Sequence, residues 1–484
     1  MLSYLKILFI FNSILSTPLC IGSRFRVVLK DYWGNEVDED AAPRSSDGQL
    51  LFLMEMVSKI KSLSNSPMGS RIASVHNGSS LFTGDAGGGE SNIRRHIIEN
   101  DLLEAIIQLP NNLFYNTGIT TYIWLLTNKK LKHRQGKVQL IDAGQLYRKL
   151  RKNLGDKNCE FSPEHITEIV ANYSAMKTVE RSATDEGIAS QVFDNTDFGY
   201  HKVTIERPKR LKAQLTYERI ETLRFDKTLV EPMQWVYETY ADSVYSDLTE
   251  HEQVISEWCE TKELDLNAKK RKALLDTNVW NKQRKLLEAA AKLQTSIGSE
   301  EFNDFNLFKT RVDAQLKADK VKLTPAEKNA IYAAITWYHA DAIKVIKKKE
   351  KLVGDKLSRL LDHLGCTKAE LPHFGYFPLD NTTNEPSFKQ HEEYTVYETE
   401  SDLRDSENIP LKEDIQAYFI REVTPHVSEA WINLDATKIG YEISFNKHFY
   451  RHKPLRNIED VSRDMLALEK ESEGLIMDIL GMAD

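Results

Sequence analysis

The chain has 484 residues, 41% of them hydrophobic and 28% charged, with a formal net charge of −8. That length allows two to four domains, and the apolar fraction calls for packed cores, which excludes wholesale disorder. The acidic balance excludes a protein that grips DNA non-specifically through bulk charge alone.

Local basic runs exist nonetheless, at 129–137, 148–152, 207–212, 269–272 and 344–351, and each is read as a solvated helix or loop face. The four cysteines, Cys20, Cys159, Cys259 and Cys366, are too dispersed for a disulfide framework or a CxxC zinc pattern. Cys159 and His165 lie close in sequence without further ligands nearby, so no metal site is expected. A reducing, cytoplasmic setting fits.

Residues 1–20 carry one lysine before an apolar stretch at 7–15, in the manner of a signal peptide. The stretch is too short to span a bilayer. Few cysteines and long Lys/Glu-rich patterns follow it, which does not fit export. Residues 1–23 are therefore read as an atypical start, truncated or misjoined, with a true signal peptide as the alternative and no membrane partner expected.

Residues 24–46 are polar and read as turns. Behind Ser46-Asp47, the positions Leu50, Leu53, Met54, Val57 and Ile60 fall at helical spacing and predict a helix with one buried face. RIASVH at 71–76 predicts a strand. The glycine-rich loop 84–89 lacks both the Lys-Ser/Thr of a P-loop and the spacing of a dinucleotide fingerprint, and is read as a flexible connection. A helix follows over 92–103, with Ile93, Ile97, Ile98 and Leu102 inward.

The stretch 104–128, EAIIQLPNNLFYNTGITTYIWLLTN, holds two apolar runs at 105–109 and 121–126 around a polar loop. It reads as strand, loop, strand, an antiparallel hairpin at the edge of an open α/β sheet. Phe114 and Tyr115 stand at the loop centre. Two large aromatics among Asn and Gly gain nothing there unless they fold onto the core as a plug or something stacks on them.

KVQLID at 137–142 predicts another strand and leads to a cationic helix start over 145–153. Ser162-Pro163 opens a helix carrying Ile166, Ile169 and Val170. Residues 174–191 read as loop, and HKVTIERP after Tyr200 alternates as a strand does. From 209 to 356 Lys, Glu, Ala and Leu dominate. Thr324-Pro325-Ala326-Glu327 is a capping box, and the helix behind it is expected to carry Ile331, Ile335, Tyr338, Ala342 and Val345. At the chain end Ile458, Val461, Met465, Leu468, Ser472, Leu475, Ile479 and Met482 alternate in steps of three and four, a narrow seam that wants a partner helix.

No Ser/His/Asp set, HExxH, P-loop or CxxC pair stands out. The stretches RIASVHNGSSLF (71–82), 92–128, KVQLIDA (137–143) and FDNTDFGYHKVTIERP (193–208) resemble the modification subunit of type I restriction–modification systems. So does the tail from LRDSENIPL at 403 through Trp431, Gly440-Tyr441-Glu442-Ile443 and Phe449. The resemblance is most specific at LPNNLFYNTGI and at LRDSENIPL.

It implies an S-adenosylmethionine-dependent methyltransferase acting on adenine N6 in DNA, with a specificity subunit and, for cleavage, a restriction subunit as partners. It implies an α/β fold, the C-terminal half of a Rossmann-like methyltransferase sheet with an antiparallel edge hairpin, plus a helical C-terminal region. Such enzymes carry a glycine-rich cofactor loop and an Asn-Pro-Pro-Tyr/Phe motif, and no Asn-Pro-Pro occurs in this chain. The chain is accordingly expected to be the C-terminal part of such a subunit, binding no S-adenosylmethionine by itself and inactive alone. A separate N-terminal half is a further expected partner, and an open sheet edge is expected where its strands would pair.

The expected organisation is 1–23 atypical segment, 24–208 methyltransferase half, 209–360 helical insert, 361–457 mixed region and 458–484 docking helix. The resemblance assigns Phe114 to stacking on the target base, with Tyr115 beside it. Asn77, Asn111, Asn112 and Asn116 are candidate hydrogen-bonders to DNA or cofactor, each with a plain turn role as its alternative. A non-catalytic module that binds the specificity subunit is the competing reading.

Overall fold

The structure is a computed structural model and describes residues 25–180, 187–264, 266–378, 393–449 and 457–480. The N-terminal segment 1–23 and Met482 of the C-terminal seam lie outside the described residues. Two compact units emerge: Met1–Tyr200 with Pro410–Lys412 and Ile439–Asp484, and His201–Ile409 with Glu413–Lys438.

The first unit opens with a hairpin, β1 (Arg26–Lys30) and β2 (Glu36–Asp40), where turns alone were expected. Val27 and Leu29 alternate inward, with Arg26, Val28 and Lys30 outward, and Gly34 supplies the left-handed turn residue. Helix α1 (Gln49–Ser58) and strand β3 (Arg71–Asn77) follow. A single turn α2 (Ser79–Phe82), helix α3 (Gly89–Glu99) and strands β4 (Leu103–Gln108), β5 (Thr121–Thr127) and β6 (Lys137–Asp142) come next. Then come a ribbon of β7 (Arg148–Leu154) and β8 (Lys157–Glu160), helix α4 (Pro163–Ala175) and strand β9 (Ala189–Asp194).

Five strands make one mixed sheet in the order β3-β5-β4-β6-β9. β5 runs antiparallel to both β3 and β4, whereas β4 and β6 are parallel. The β4–β5 hairpin therefore lies inside the sheet and not at its edge, which corrects the expectation. The reason is burial on both faces. Ile106, Trp124 and Leu140 point into a core with Leu50, Leu53, Ile93 and Ile97 of α1 and α3. Ile107, Ile123 and Ile141 point the other way, into a core with Leu113, Cys159 and Ile169. Near-continuous apolar strands of this kind belong at a sheet's centre. The edge falls to β3, which alternates and leaves Val75 exposed.

Three further expectations need correction. Residues 148–154 form a strand and not a helix. Gly155 at φ +64° and Asp156 make a two-residue turn that pairs Leu154 with Lys157, a hairpin signal that the run of cations masked. The glycine-rich loop 84–89 is not slack: a Cβ on Gly89 would lie 1.8 Å from the Ala42 carbonyl oxygen. Finally, the helix behind Thr324 ends at Ile335, and Thr336–Tyr338 is a short strand paired with Leu211–Ala213.

In the second unit, helices Thr277–Ile297, Phe305–Ala318 and Pro325–Ile335 pack around Leu286, Ala290, Phe308, Val312 and Ile331. The capping box is formed, with Glu327 accepting from the Thr324 N–H at 2.7 Å. A second cluster there gathers Met233, Val236, Ile255 and Trp280.

Strand β10 (Gly199–Glu206) covers most of HKVTIERP at 201–208, which was expected to form a strand. Helix α5 (Phe445–Phe449) seats Phe445 in the core that holds Trp124. The chain closes with α6 (Ile458–Leu480). Among the described residues no helix is long and apolar enough to cross a membrane.

Candidate functional site

Strands β3, β4 and β6 share one direction, so Asn77, Gln108 and Asp142 end at the same edge of the sheet. Carboxyl edges of this kind are where open α/β sheets bind ligands. The loop 109–120 rises from that edge. Its root is closed by the Leu109 N–H donating to the Thr121 carbonyl at 2.8 Å.

Asn112 and Asn116 both hold left-handed backbone, at φ +56° and +54°, a conformation that asparagine tolerates better than most side chains. Together they turn the chain so that its apolar residue and its aromatics point different ways. Leu113, only 8% exposed, is the plug that packs into the core with Ile107, Ile141 and Cys159. Phe114 and Tyr115 stay 39% and 65% exposed. The two aromatics are thus not core residues folded back.

The ribbon β7–β8 braces this loop. The Asn112 amide donates to the Asp156 carbonyl at 2.9 Å, and the Asn158 N–H donates to the Asn112 carbonyl at 3.2 Å. Lys157 Nζ donates to the Leu113 carbonyl at 2.7 Å and lies 5.9 Å from the centre of the Tyr115 ring. The Cys159 thiol, its pKa pushed up by burial, donates to the Asn111 carbonyl at 3.1 Å. The Asn111 side-chain oxygen accepts from the Thr120 hydroxyl. A polar cleft of about 250 Å³ opens between loop and ribbon, lined by Gln108, Asn111, Asn112, Tyr147, Lys149 and Asn158.

Asn77 sits at the same edge in a separate network. Its side-chain oxygen accepts from Gln49 Nε2 at 2.7 Å and from the Ser79 N–H at 2.9 Å. Behind it His76 is buried edge-on to Trp124, neither ring nitrogen has a hydrogen-bond partner among the described residues, and burial lowers its pKa to about 4. Burial, helped by the Asp142 carboxylate, pushes the Tyr122 phenol up to about 12.

The structure thus gathers Asn111, Asn112, Phe114 and Tyr115 with the ribbon at one place. Asn116 stands at the loop's far turn, where its side-chain oxygen would lie 3.1 Å from a Cβ on Gly155. The ribbon cations Arg148, Lys149, Arg151, Lys152 and Lys157 were not among the expected site residues.

A mixed α/β unit with an aromatic loop at the carboxyl edge of its sheet is the setting in which residues 29–203 match the N-6 DNA Methylase family. Curated relatives agree with that match. Over 97 residues the chain is 35% identical to the "Type I restriction enzyme MjaIX methylase subunit" of Methanocaldococcus jannaschii, covering 20% of this chain and 16% of that protein. Over 123 residues it is 32% identical to the "Type I restriction enzyme HindI methylase subunit" of Haemophilus influenzae, covering 24% of this chain and 25% of that protein. The chain therefore spans about a sixth to a quarter of the length of these relatives.

Among solved structures, a type I restriction-modification system methyltransferase subunit from Streptococcus thermophilus aligns at 22% identity. It covers 34% of this chain and 29% of that one, with a TM-score of 0.26. The resemblance read from the sequence, to modification subunits of type I systems, holds.

Proposed function

We propose that the chain is a subunit of a type I restriction–modification methyltransferase that transfers a methyl group from S-adenosylmethionine to adenine N6 in DNA. On this reading the chain supplies the side of the site that receives the target base. The observation that carries it is the exposure of Phe114 and Tyr115 in a loop whose neighbouring residues are fixed by hydrogen bonds and by the Leu113 plug.

Adenine N6 cannot be reached inside a stacked duplex, so the base must swing out. Phe114 receives it by stacking, worth about 1–3 kcal/mol. Tyr115 extends the platform. The side chains of Asn111 and Asn116 bond the extruded nucleotide, while Asn112 chiefly holds the loop on the ribbon. Asn77 belongs to the turn that ends β3.

The donor supplies the methyl group. The glycine-rich loop 84–89 does not fit it, because Gly89 abuts the Ala42 carbonyl and the Gly84 carbonyl accepts from Arg94. No Asn-Pro-Pro occurs in the 484 residues. On this reading the chain alone neither binds S-adenosylmethionine nor methylates DNA. It works with a specificity subunit that reads the bases, a restriction subunit for cleavage, and a polypeptide that holds the donor.

The test is Phe114→Ala in the assembled complex. Methylation and affinity for a duplex with one unpaired adenine should both fall, by roughly tenfold or more for about 1–3 kcal/mol of lost stacking. Unchanged methylation and affinity would refute the reading.

A second reading, a non-catalytic module that docks on the specificity subunit, draws on the exposed apolar seam of α6. The Phe114→Ala complex separates the two: lost methylation with intact assembly supports the enzyme, and unchanged methylation supports the module.

A further inference from the structure

We propose that the β7–β8 ribbon is a DNA-backbone clamp that holds the phosphates beside the extruded base. The inference rests on the function proposed above and adds a surface to it. The ribbon carries five cations, Arg148, Lys149, Arg151, Lys152 and Lys157, against two carboxylates, Asp156 and Glu160. That leaves +3 over thirteen residues of a chain whose total is −8.

Arg148 is paired with Glu160 at 2.8 Å, and Lys157 is committed to the Leu113 carbonyl. Arg151 and Lys152 are exposed at the outer part of the ribbon, and Lys149 reaches the cleft rim. Charge held on a two-stranded ribbon differs from charge on a free loop. Bonds between Asp156, Lys157, Asn158 and Cys159 and the loop residues Asn111, Asn112 and Leu113 tie β8 to the loop that carries the aromatics, and β8 pairs with Arg148, Lys149 and Leu154, the two ends of the stretch that bears Arg151 and Lys152.

Exposed aromatics next to exposed cations are the pairing that single nucleotides and their flanking phosphates require, the rings for the base face and the cations for the backbone. An acidic protein surface would use the cations but has no need of Phe114 and Tyr115. The arrangement therefore favours nucleic acid. It also explains how an acidic chain holds DNA locally: within a screening length of about 10 Å at 0.1 M salt, the ribbon's own charge dominates.

The experiment measures anisotropy of a fluorescein-labelled duplex with one unpaired adenine, titrated with the full chain over a series of salt concentrations. Arg151→Ala/Lys152→Ala removes two exposed cations that make no ion pair among the described residues. Each phosphate contact contributes about 0.9 to the slope of log affinity against log salt, so the slope should flatten by about 1.8. Between 50 and 200 mM salt the wild type should then lose about tenfold more affinity than the variant. The charge-preserving swap Arg151→Lys/Lys152→Arg should match the wild type in both.

A wild-type slope in the double alanine variant would overturn the clamp. So would unchanged DNA affinity with lost co-purification of the specificity subunit, which would make the ribbon a protein-docking surface. Phe114→Ala in the same assay separates the two claims, because it should weaken binding without changing the slope. If Phe114→Ala has no effect while the ribbon variant does, the stacking reading fails and the clamp stands. A wild-type chain that leaves the probe unbound at low salt overturns both.

Discussion

Arg94 donates its Nε–H to the main-chain carbonyl of Tyr441 at 2.6 Å, across 347 positions of sequence. The same guanidinium also donates to the carbonyls of Ser80, at 3.2 Å, and Gly84. Tyr441 returns its own N–H to the Ser91 hydroxyl at 3.0 Å, and the Ile443 N–H reaches the Leu81 carbonyl at 2.9 Å. The segment 439–443 is thus threaded through the first unit and helps to build its core. Arg94 is fully buried, and burial lowers its pKa to about 10, so it remains charged at neutral pH.

Arg94→Leu would fill the space and leave two buried carbonyls, Tyr441 and Ser80, and the half-buried Gly84 carbonyl without this donor. Unpaired buried acceptors cost about 1–3 kcal/mol each before relaxation. We expect a loss of at least about 2 kcal/mol, read as a lower urea midpoint and as faster hydrogen exchange in α3, β4 and β6. Wild-type protection in those elements would show that the guanidinium does not hold the tail.

Much of this unit was legible in the sequence. The strands at 71–77, 121–127 and 137–142 announce themselves through β-branched and aromatic runs bounded by Gly, Pro and Asn. The position of the β4–β5 hairpin was not legible, because strand order depends on which faces are covered, and α1, α3 and α4 cover both faces of β4. The ribbon was hidden by composition. Arg148, Lys149, Arg151 and Lys152 favour helix by propensity, and the turn at Gly155-Asp156 together with the contacts to Asn112 overrides it. The Arg94–Tyr441 tie could not be seen at all, because a charged residue at helical spacing gives no sign of being buried. At the site, Phe114 and Tyr115 drew notice because they are out of place in a polar loop, whereas the division of labour with Leu113 required the backbone.

His76 predicts a pH dependence. Its imidazole is buried beside Trp124, and burial lowers its pKa from 6.5 to about 4, with Asp47 opposing only in part. Between those values the unfolded chain binds a proton that the folded chain refuses, so stability rises with pH. The contribution is in place above about pH 6.5 and is lost as pH falls towards 4. At 1.36 kcal/mol per unit it amounts to about 3 kcal/mol. His76→Phe should flatten urea midpoints between pH 4 and 6.5 relative to wild type. An equal slope in both proteins would mean that other groups set it.

Asn112 has two duties, a left-handed backbone and an amide bond to the Asp156 carbonyl. Asn112→Gly keeps the first at no steric cost and removes the second. The ribbon should then exchange its amides faster over 148–160, while β4, β5 and β6 keep their protection. Asn112→Val strains the backbone as well, at about 1–3 kcal/mol for a β-branched residue held there, and should lower the melting temperature of the unit. If Asn112→Gly left the ribbon's exchange unchanged, Lys157 and Cys159 would be sufficient to hold it.

The C-terminal helix makes the last prediction. On α6 the residues Ile458, Val461, Met465 and Leu468 follow steps of three and four, and all four are exposed, Met465 at 66% and Leu468 at 64%. A seam of this kind gains nothing facing water, whereas seated in the groove of a partner helix each side chain gains roughly 1.5–3 kcal/mol by burial. Two of them together correspond to about a hundredfold or more in dissociation constant. Met465→Lys/Leu468→Lys should therefore abolish co-purification with a specificity subunit and leave the thermal unfolding of the chain where it was, since both positions already face solvent. Ser472→Leu, which extends the apolar seam by one position, should strengthen the same association. Retained co-purification in the double lysine variant, at unchanged stability, would show that the partner docks elsewhere and that the seam serves another end.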